Sequence, residues 1–240
     1  MELNINRYPE YRRIIDLELQ EYIENFLTEE RKAILKKIIE KRTNHLVFVA
    51  ENLIDEHNIH AIIRTSECFG LQDFYNIPFK GNLKKNRSVT RGALQWTHIY
   101  EFLEEKEPIV SCIEYLQSIG YKVYATSSNV ESTYTPQTLP IDNKVAIIMG
   151  NEHLGVSEKA LALSDGVIEI PMYGFTESFN VSVAAGLICQ PIVERIRTSE
   201  INWGFDPNIK KNLYYEWIWH SVKKPDILYR DWIERKNSNK

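Results

Sequence analysis

Cysteine is scarce in this chain and nowhere paired: Cys68, Cys112 and Cys189 stand far apart, with no C-x-x-C spacing. That excludes a disulfide framework and leaves no zinc ligand set. Long apolar runs are missing too, since no stretch approaches the roughly 20 residues that cross a bilayer. The opening "MELNINRYPEYRR" also lacks the apolar centre of a signal peptide. No membrane attachment is expected, and a cytoplasmic location follows. Positive charge is not in excess either: 29 Lys and Arg against 33 Asp and Glu give a formal net charge of −4. A general basic coat for nucleic acid is thereby ruled out, although local patches are not.

Several nucleotide and hydrolase signatures are also absent. There is no G-x-G-x-x-G and no G-x-S-x-G, so a Rossmann dehydrogenase and an α/β-hydrolase both lack their defining element. The stretch "GNEHLGVS", Gly150 to Ser157, has the frame of a phosphate-binding loop, but Val156 stands where that loop needs the lysine for the β/γ-phosphates. His57 and His60 have no third ligand in view, and no metal is expected.

What the 240 residues do contain is enough apolar surface, 43% of positions, for a sizeable core. Residues 1–45 read as a helical arm, with Thr28 as a cap, Glu29 and Glu30 in the first turn, and Ile34, Leu35, Ile38 and Ile39 as one apolar stripe. From Leu46 to Arg197, short β-type runs ("LVFVA", "DFYNI", "HIYEF", "YKVYAT", "VAIIM", "GVIEI") alternate with helical patterns. This alternation predicts an α/β fold with a mainly parallel sheet flanked by helices. The helix from about Phe179 contains Pro191, which should kink it or cost it a turn. Residues 198–240, with "YYEWIWH" inside them, read as a helical tail.

Ligands of such sheets sit at the carboxyl ends of the strands. Four segments place unusual residues there: "HNIHAIIRT", with Asn58 read as a helix cap and Arg64 six residues on; "ATSS"; "GNEHLGVS"; and "PMYGFTESFNVSVAAG", in which Ser178 and Asn180 open a helix. Between the second and third predicted strands lies "KGNLKKNRSVTR", which carries Lys80, Lys84, Lys85, Arg87 and Arg91 and no acid. This run suits a phosphate backbone.

Taken together, "N-x-x-A-I-x-R-T", "I-M-G-N-E-x-x-G-V-S" and "I-P-M-x-G-x-x-x-S-x-N-V-S-V-A" resemble the three ordered motifs of the SpoU-type RNA 2′-O-ribose methyltransferases, with the flanking helices of the TrmH-like tRNA branch. The resemblance spans about Leu46 to Arg197 and implies a C-terminal deep trefoil knot. It further implies S-adenosylmethionine held by Thr126, Gly150, Asn151, Gly155, Ile170, Met172 and Phe179. The catalytic set it implies is Arg64, Glu152, Asn180, Asn58 and Ser178, with Lys80, Lys84, Lys85, Arg87 and Arg91 on RNA. The implied activity is 2′-O-methylation of a ribose in tRNA, at the D-loop guanosine 18, by a homodimer. Ribosomal RNA is the alternative substrate, and a non-catalytic RNA-binding or assembly protein is the alternative of another class.

In the family the arginine is assigned as the base for the ribose proton. A guanidinium holds its proton across the ordinary pH range, so clamping a neighbouring phosphate and orienting the hydroxyl is at least as good a role. The third motif departs from the family at Thr176 and Glu177, where an apolar residue and glutamine are usual, and at Phe179, where leucine is usual. Glu177 brings an acid to where RNA should approach.

Overall fold

The computed structural model describes residues 16–79, 92–103, 106–128 and 131–238. The basic run with Lys80, Lys84, Lys85, Arg87 and Arg91 lies outside the described residues. The described residues form two compact units, one drawn from positions 43–203 and the other from positions 16–42 and 204–238.

The larger unit is built on six parallel strands in the order β3-β2-β1-β5-β4-β6: β1 Leu46–Glu51, β2 Asp73–Ile77, β3 His98–Glu101, β4 Tyr121–Thr126, β5 Lys144–Met149 and β6 Gly166–Ile168. β1 is buried along its whole length and β5 from Val145 onward, which accounts for their unbroken apolar sequences: a parallel strand covered on both faces has no polar side to show. Leu46, Phe48 and Ala50 face one layer with Ile62, Ile63, Ile188 and Ile192, while Val47 and Val49 face the other with Cys112, Ile113 and Leu116. Full burial of each large side chain here stabilises the fold by about 1.5–3 kcal/mol.

Helices α3 (Glu56–Cys68) and α6 (Val181–Thr198) pack together on the first face, and α4 (Pro108–Ser118) and α5 (Glu158–Leu163) occupy the second. A Cβ on Gly186 of α6 would lie 4.0 Å from Thr65 Cγ2, an ordinary contact, so the packing of α3 on α6 does not require glycine there. α6 continues through Pro191 without interruption over its full 18 residues. The carbonyl that loses its donor belongs to Leu187, one turn earlier on an exposed side, where water can replace the missing N–H.

The strand order reverses between β1 and β5: β1 is followed by a crossover outward to β2, and β5 leads toward the opposite edge. The loops that follow β4, β5 and β6 at their carboxyl ends are thereby gathered on one side of β1.

The smaller unit holds α1 (Leu17–Glu24), α2 (Glu29–Ile39), α7 (Pro207–Ser221) and α8 (Pro225–Ser238). Thr28 caps α2, accepting from Arg31 N at 3.2 Å. Of the expected stripe on α2 only Leu35 and Ile39 are buried, whereas Ile34 and Ile38 are about 40% exposed. A helix this short buries the residues four apart that meet its neighbour, and α7 is that neighbour, with Lys36 Nζ of α2 5.3 Å from the centre of the Tyr214 ring. The buried Arg42 guanidinium lies 5.6 Å from the centre of the Trp217 ring.

Candidate active site

The loop after β5 is closed on itself. Asn151 and Gly155 exchange two backbone hydrogen bonds, at 3.0 and 2.9 Å, and Gly155 takes a φ of +69° that few other residues tolerate. Asn151 Oδ1 accepts the amides of His153 and Leu154, at 2.9 and 3.0 Å, which fixes the turn from inside. Gly150 is demanded by contact rather than by its dihedral: a Cβ there would lie 2.2 Å from Val156 N and 2.3 Å from Gly155 C. No side chain fits.

The same loop is stapled to the segment after β1 at three levels. Asn151 Nδ2 donates to the carbonyl of Asn52 at 2.7 Å, and Asn52 holds φ 53°, the left-handed region that asparagine visits more readily than most residues. The buried Glu51, at the end of β1, accepts Ser157 N at 3.0 Å. Between these, Glu152 reaches the start of α3 and accepts from Ile54 N (3.0 Å), Asp55 N (3.4 Å) and Asn58 Nδ2 (3.0 Å).

Asn58 is not the helix cap that its sequence context suggests. Asp55 is: its carboxylate accepts His57 N at 2.8 Å, and α3 begins at Glu56. Asp and Asn compete for the capping position on nearly equal terms, and Asp55 wins because Glu56 then falls in the first turn, where a negative charge meets the helix dipole. Asn58 is thereby left with an uncommitted amide. Because Glu152 can only accept, Asn58 turns its NH2 toward it and offers Oδ1 to Asn180 Nδ2 at 3.0 Å. Asn180 caps α6, and its own Oδ1 is occupied by Ser182 N at 2.9 Å and Ser182 Oγ at 2.6 Å. Glu152, Asn58 and Asn180, far apart in sequence, thus form one ordered chain of hydrogen bonds.

Partial burial raises the pKa of Glu152, but the hydrogen bonds from Ile54, Asn58 and neighbouring amides favour the anion and leave it below the ordinary 4.5. A carboxylate held this way is a weak base and a firm anchor. Since its folded-state pKa is depressed, its contribution is complete above pH 4.5 and is lost as pH falls through the lower folded-state value. We predict that the Asn58 side-chain amide resonances will shift in that acid window, and that in Glu152→Gln they will stay flat.

Beside this network lies a cavity of about 460 Å³, within the range typical of small-molecule sites. All seven residues expected to hold a cofactor, Thr126, Gly150, Asn151, Gly155, Ile170, Met172 and Phe179, line it, as do Glu152, Ser178 and Asn180. Thr126 Oγ1 is fixed by the carbonyl of Ile148 at 2.9 Å. The apolar wall comes from Met149, Val156, Leu161, Ile168 and Ile188, and Ser127 and Ser128 stand at one side. Asn58 meets the cavity only through Glu152 and Asn180. Arg64 is not among the lining residues. It is exposed on α3, on the stripe shared with His57 and Cys68, and among the described residues no hydrogen bond or ion pair holds it. His57 is exposed and His60 buried, so the two do not share one environment.

Sequence reasoning missed Glu51, Asp55 and Glu169, the last of which also lines the cavity. Each is an acid at the end of an apolar run or the start of a helical one, which is a visible signal. What it does not reveal is the partner.

The SpoU rRNA Methylase family model matches residues 45–190. A tRNA (guanosine(18)-2'-O)-methyltransferase of Borreliella burgdorferi is 37% identical over 206 residues, covering 86% of this chain and 92% of that protein. The enzyme of the same name from Aquifex aeolicus is 33% identical over 174 residues, 69% and 77% of the two chains. The crystal structure of the A. aeolicus TrmH/SpoU tRNA modifying enzyme superposes with a TM-score of 0.72 at 29% identity, covering 82% of this chain and 98% of that one. The SpoU methyltransferase AviRb from Streptomyces viridochromogenes, in complex with the cofactor AdoMet, shares the fold with a TM-score of 0.57 at 20% identity, over 68% and 65% of the chains. With a family match over more than half its length and relatives 37% and 33% identical over more than two thirds of it, the chain belongs to the SpoU rRNA Methylase family.

Proposed function

We propose that this protein transfers a methyl group from S-adenosylmethionine to the 2′-oxygen of a guanosine ribose in tRNA, and that it does so as a homodimer. The observation that carries the reading is the convergence of the second and third motifs on one cavity, joined to the first through the Glu152–Asn58–Asn180 chain. The closed Gly150 loop packs backbone against backbone, since a Cβ at Gly150 would meet Val156 N and Gly155 C. Its lack of a lysine fits a nucleoside rather than a triphosphate.

When bound, S-adenosylmethionine supplies an electrophilic methyl carbon on a sulfonium. The residues of the chain have three tasks: to hold the donor, to align the ribose oxygen behind that carbon, and to receive or release the hydroxyl proton. Thr126, Gly150, Asn151, Gly155, Ile170, Met172 and Phe179 are assigned to the first. Asn58, Glu152 and Asn180 hold the loops at the mouth in register, with Ser178 offering a hydroxyl beside them, and positioning of this kind supplies several kcal/mol of a two-reactant barrier. Arg64 is assigned to the ribose and its neighbouring phosphate, at the rim rather than in the cavity. With the 2′-oxygen held in line with that carbon, forming the C–O bond would break the C–S bond with its electron pair on sulfur and would release the 2′-proton to water at the mouth.

The substrate class is supported by the names of the two relatives, one of which matches over nearly its entire length. Ribosomal RNA is the second reading, favoured by the description of the family itself. Dimerisation is supported by apolar side chains left open around the cavity and along α6: Leu154, Tyr173 and Phe175 are 86%, 96% and 108% exposed, and Val183 and Leu187, four apart on the helix, are about half exposed. Long-range attraction of RNA is assigned to the basic run of residues 80–91, which makes binding salt-dependent.

The test is transfer of labelled methyl to unmodified tRNA and to ribosomal RNA, with mapping of the modified ribose. Label in tRNA at the D-loop guanosine is expected. Label confined to ribosomal RNA would replace the substrate, and binding of both donor and RNA without any transfer would leave a non-catalytic RNA-binding protein.

A further inference from the structure

The charge of the cavity is one-sided. Glu152, Glu169 and Glu177 line it, and among its lining residues there is no lysine, arginine or histidine. Glu152 is committed to the start of α3. The other two are not: Glu169 is fixed by its backbone amide to the carbonyl of Tyr134 at 3.0 Å, while its carboxylate, like that of the exposed Glu177, has no hydrogen-bond or ion-pair partner among the described residues. Two carboxylates without such partners, among lining residues that include no cation, form an incomplete charge arrangement. A ligand carrying positive charge completes it.

The two ligands that exchange in a methyl transfer from S-adenosylmethionine differ in that property. Before transfer the sulfur is a sulfonium; after it, the electron pair of the broken C–S bond rests on sulfur as a neutral thioether. The amino-acid end is zwitterionic in both, so the net ligand charge falls from +1 to 0. An interaction that is present with one and absent with the other separates their affinities, and in a partly desolvated cavity charge–charge attraction is screened less than at the surface.

We propose that Glu169 and Glu177 make this cavity select the sulfonium donor over its thioether product, so that loss of charge on transfer itself weakens the grip on what remains. This rests on the cavity being the donor site proposed above. It also gives a role to Glu177, the acid found where glutamine is usual: its charge serves the donor and not the RNA.

The experiment is calorimetric titration of the full chain, without RNA, with S-adenosylmethionine, S-adenosylhomocysteine and sinefungin, the last an analogue with an ammonium in place of the sulfonium. At low salt the donor and sinefungin should bind about tenfold more tightly than the thioether, a preference worth about 1.4 kcal/mol. Raising the salt to about 0.5 M should compress the ratio, because the Debye length then falls to a few ångströms. Glu169→Gln and Glu177→Gln should each cut the ratio to about threefold, and the double variant should bring it near one, chiefly by weakening the two cations. Unchanged unfolding midpoints would verify that these variants are folded. Equal affinity of the wild-type chain for all three ligands, or an unaltered ratio in the double variant, would overturn the selectivity while leaving the donor site standing. Failure of all three to bind would instead overturn the donor site, and the selectivity with it.

Discussion

Gly150→Ala should abolish donor binding almost completely while the chain stays folded. The added methyl group would sit 2.2 Å from Val156 N and 2.6 Å from the carbonyl oxygen of Gly155, all of it backbone that cannot rotate away as a side chain can. The closing bonds between Asn151 and Gly155 must then open, and with them goes the turn inside which Asn151 orders His153 and Leu154. Overpacking of this severity costs about 3 kcal/mol or more, which as lost affinity is roughly a hundredfold or greater. Calorimetry of the variant with S-adenosylmethionine measures it, and circular dichroism checks the sheet, which lies behind the loop. As a control, Gly174→Ala lies in open space on the other side of the mouth and should bind nearly as the wild type does. Donor affinity within threefold of wild type in Gly150→Ala would mean that the loop is not a wall of the binding site.

Arg64→Ala should do the reverse. Turnover should fall by about 10²- to 10⁴-fold, the size of a lost proton-transfer or charge-stabilising group, with donor affinity almost unchanged. The second half follows from geometry, since Arg64 contributes nothing to the lining of the cavity. The first half follows from its openness: an arginine that no described residue engages has its guanidinium available for a phosphate or ribose at the rim. Arg64→Lys sharpens the reading, because lysine keeps the charge but loses the planar fork that grips two oxygens at once. Single-turnover assays with saturating donor separate the cases. If Arg64→Ala lost donor binding, the arginine would be a structural residue of α3; if Arg64→Lys kept full rate, a point charge would suffice and the fork would be irrelevant.

Much of the sheet was readable because each strand is a short apolar run bounded by turn residues, and a doubly covered parallel strand writes that pattern directly. "LVFVA" and "VAIIM" became β1 and β5 with little change. The cavity was readable only through the order and spacing of the motifs, since the strand order that sets the ends of β4, β5 and β6 side by side is a property of the whole sheet. Asn58 shows where local rules give out: it has the chemistry of a cap and stands near a helix start, but capping is a competition decided by Asp55 three residues earlier. The bridging role it takes instead depends on Glu152 and Asn180, which periodicity cannot bring together. Pro191 shows the same limit from the other side, because whether a lost hydrogen bond matters is decided by access of water to the Leu187 carbonyl.

The position of β1 in the middle of the sheet has a consequence for biosynthesis. Phe48 finds its first neighbour, Phe74, soon after leaving the ribosome, but its second, Ile147, is synthesised roughly a hundred residues later, about 5–20 s at ordinary rates of translation. Throughout that interval one margin of the nascent β1–β2 pair is an open, greasy template. The half-made protein should therefore be a strong client of ribosome-associated chaperones, and slowing the ribosome between codons 80 and 140 should raise the fraction that aggregates.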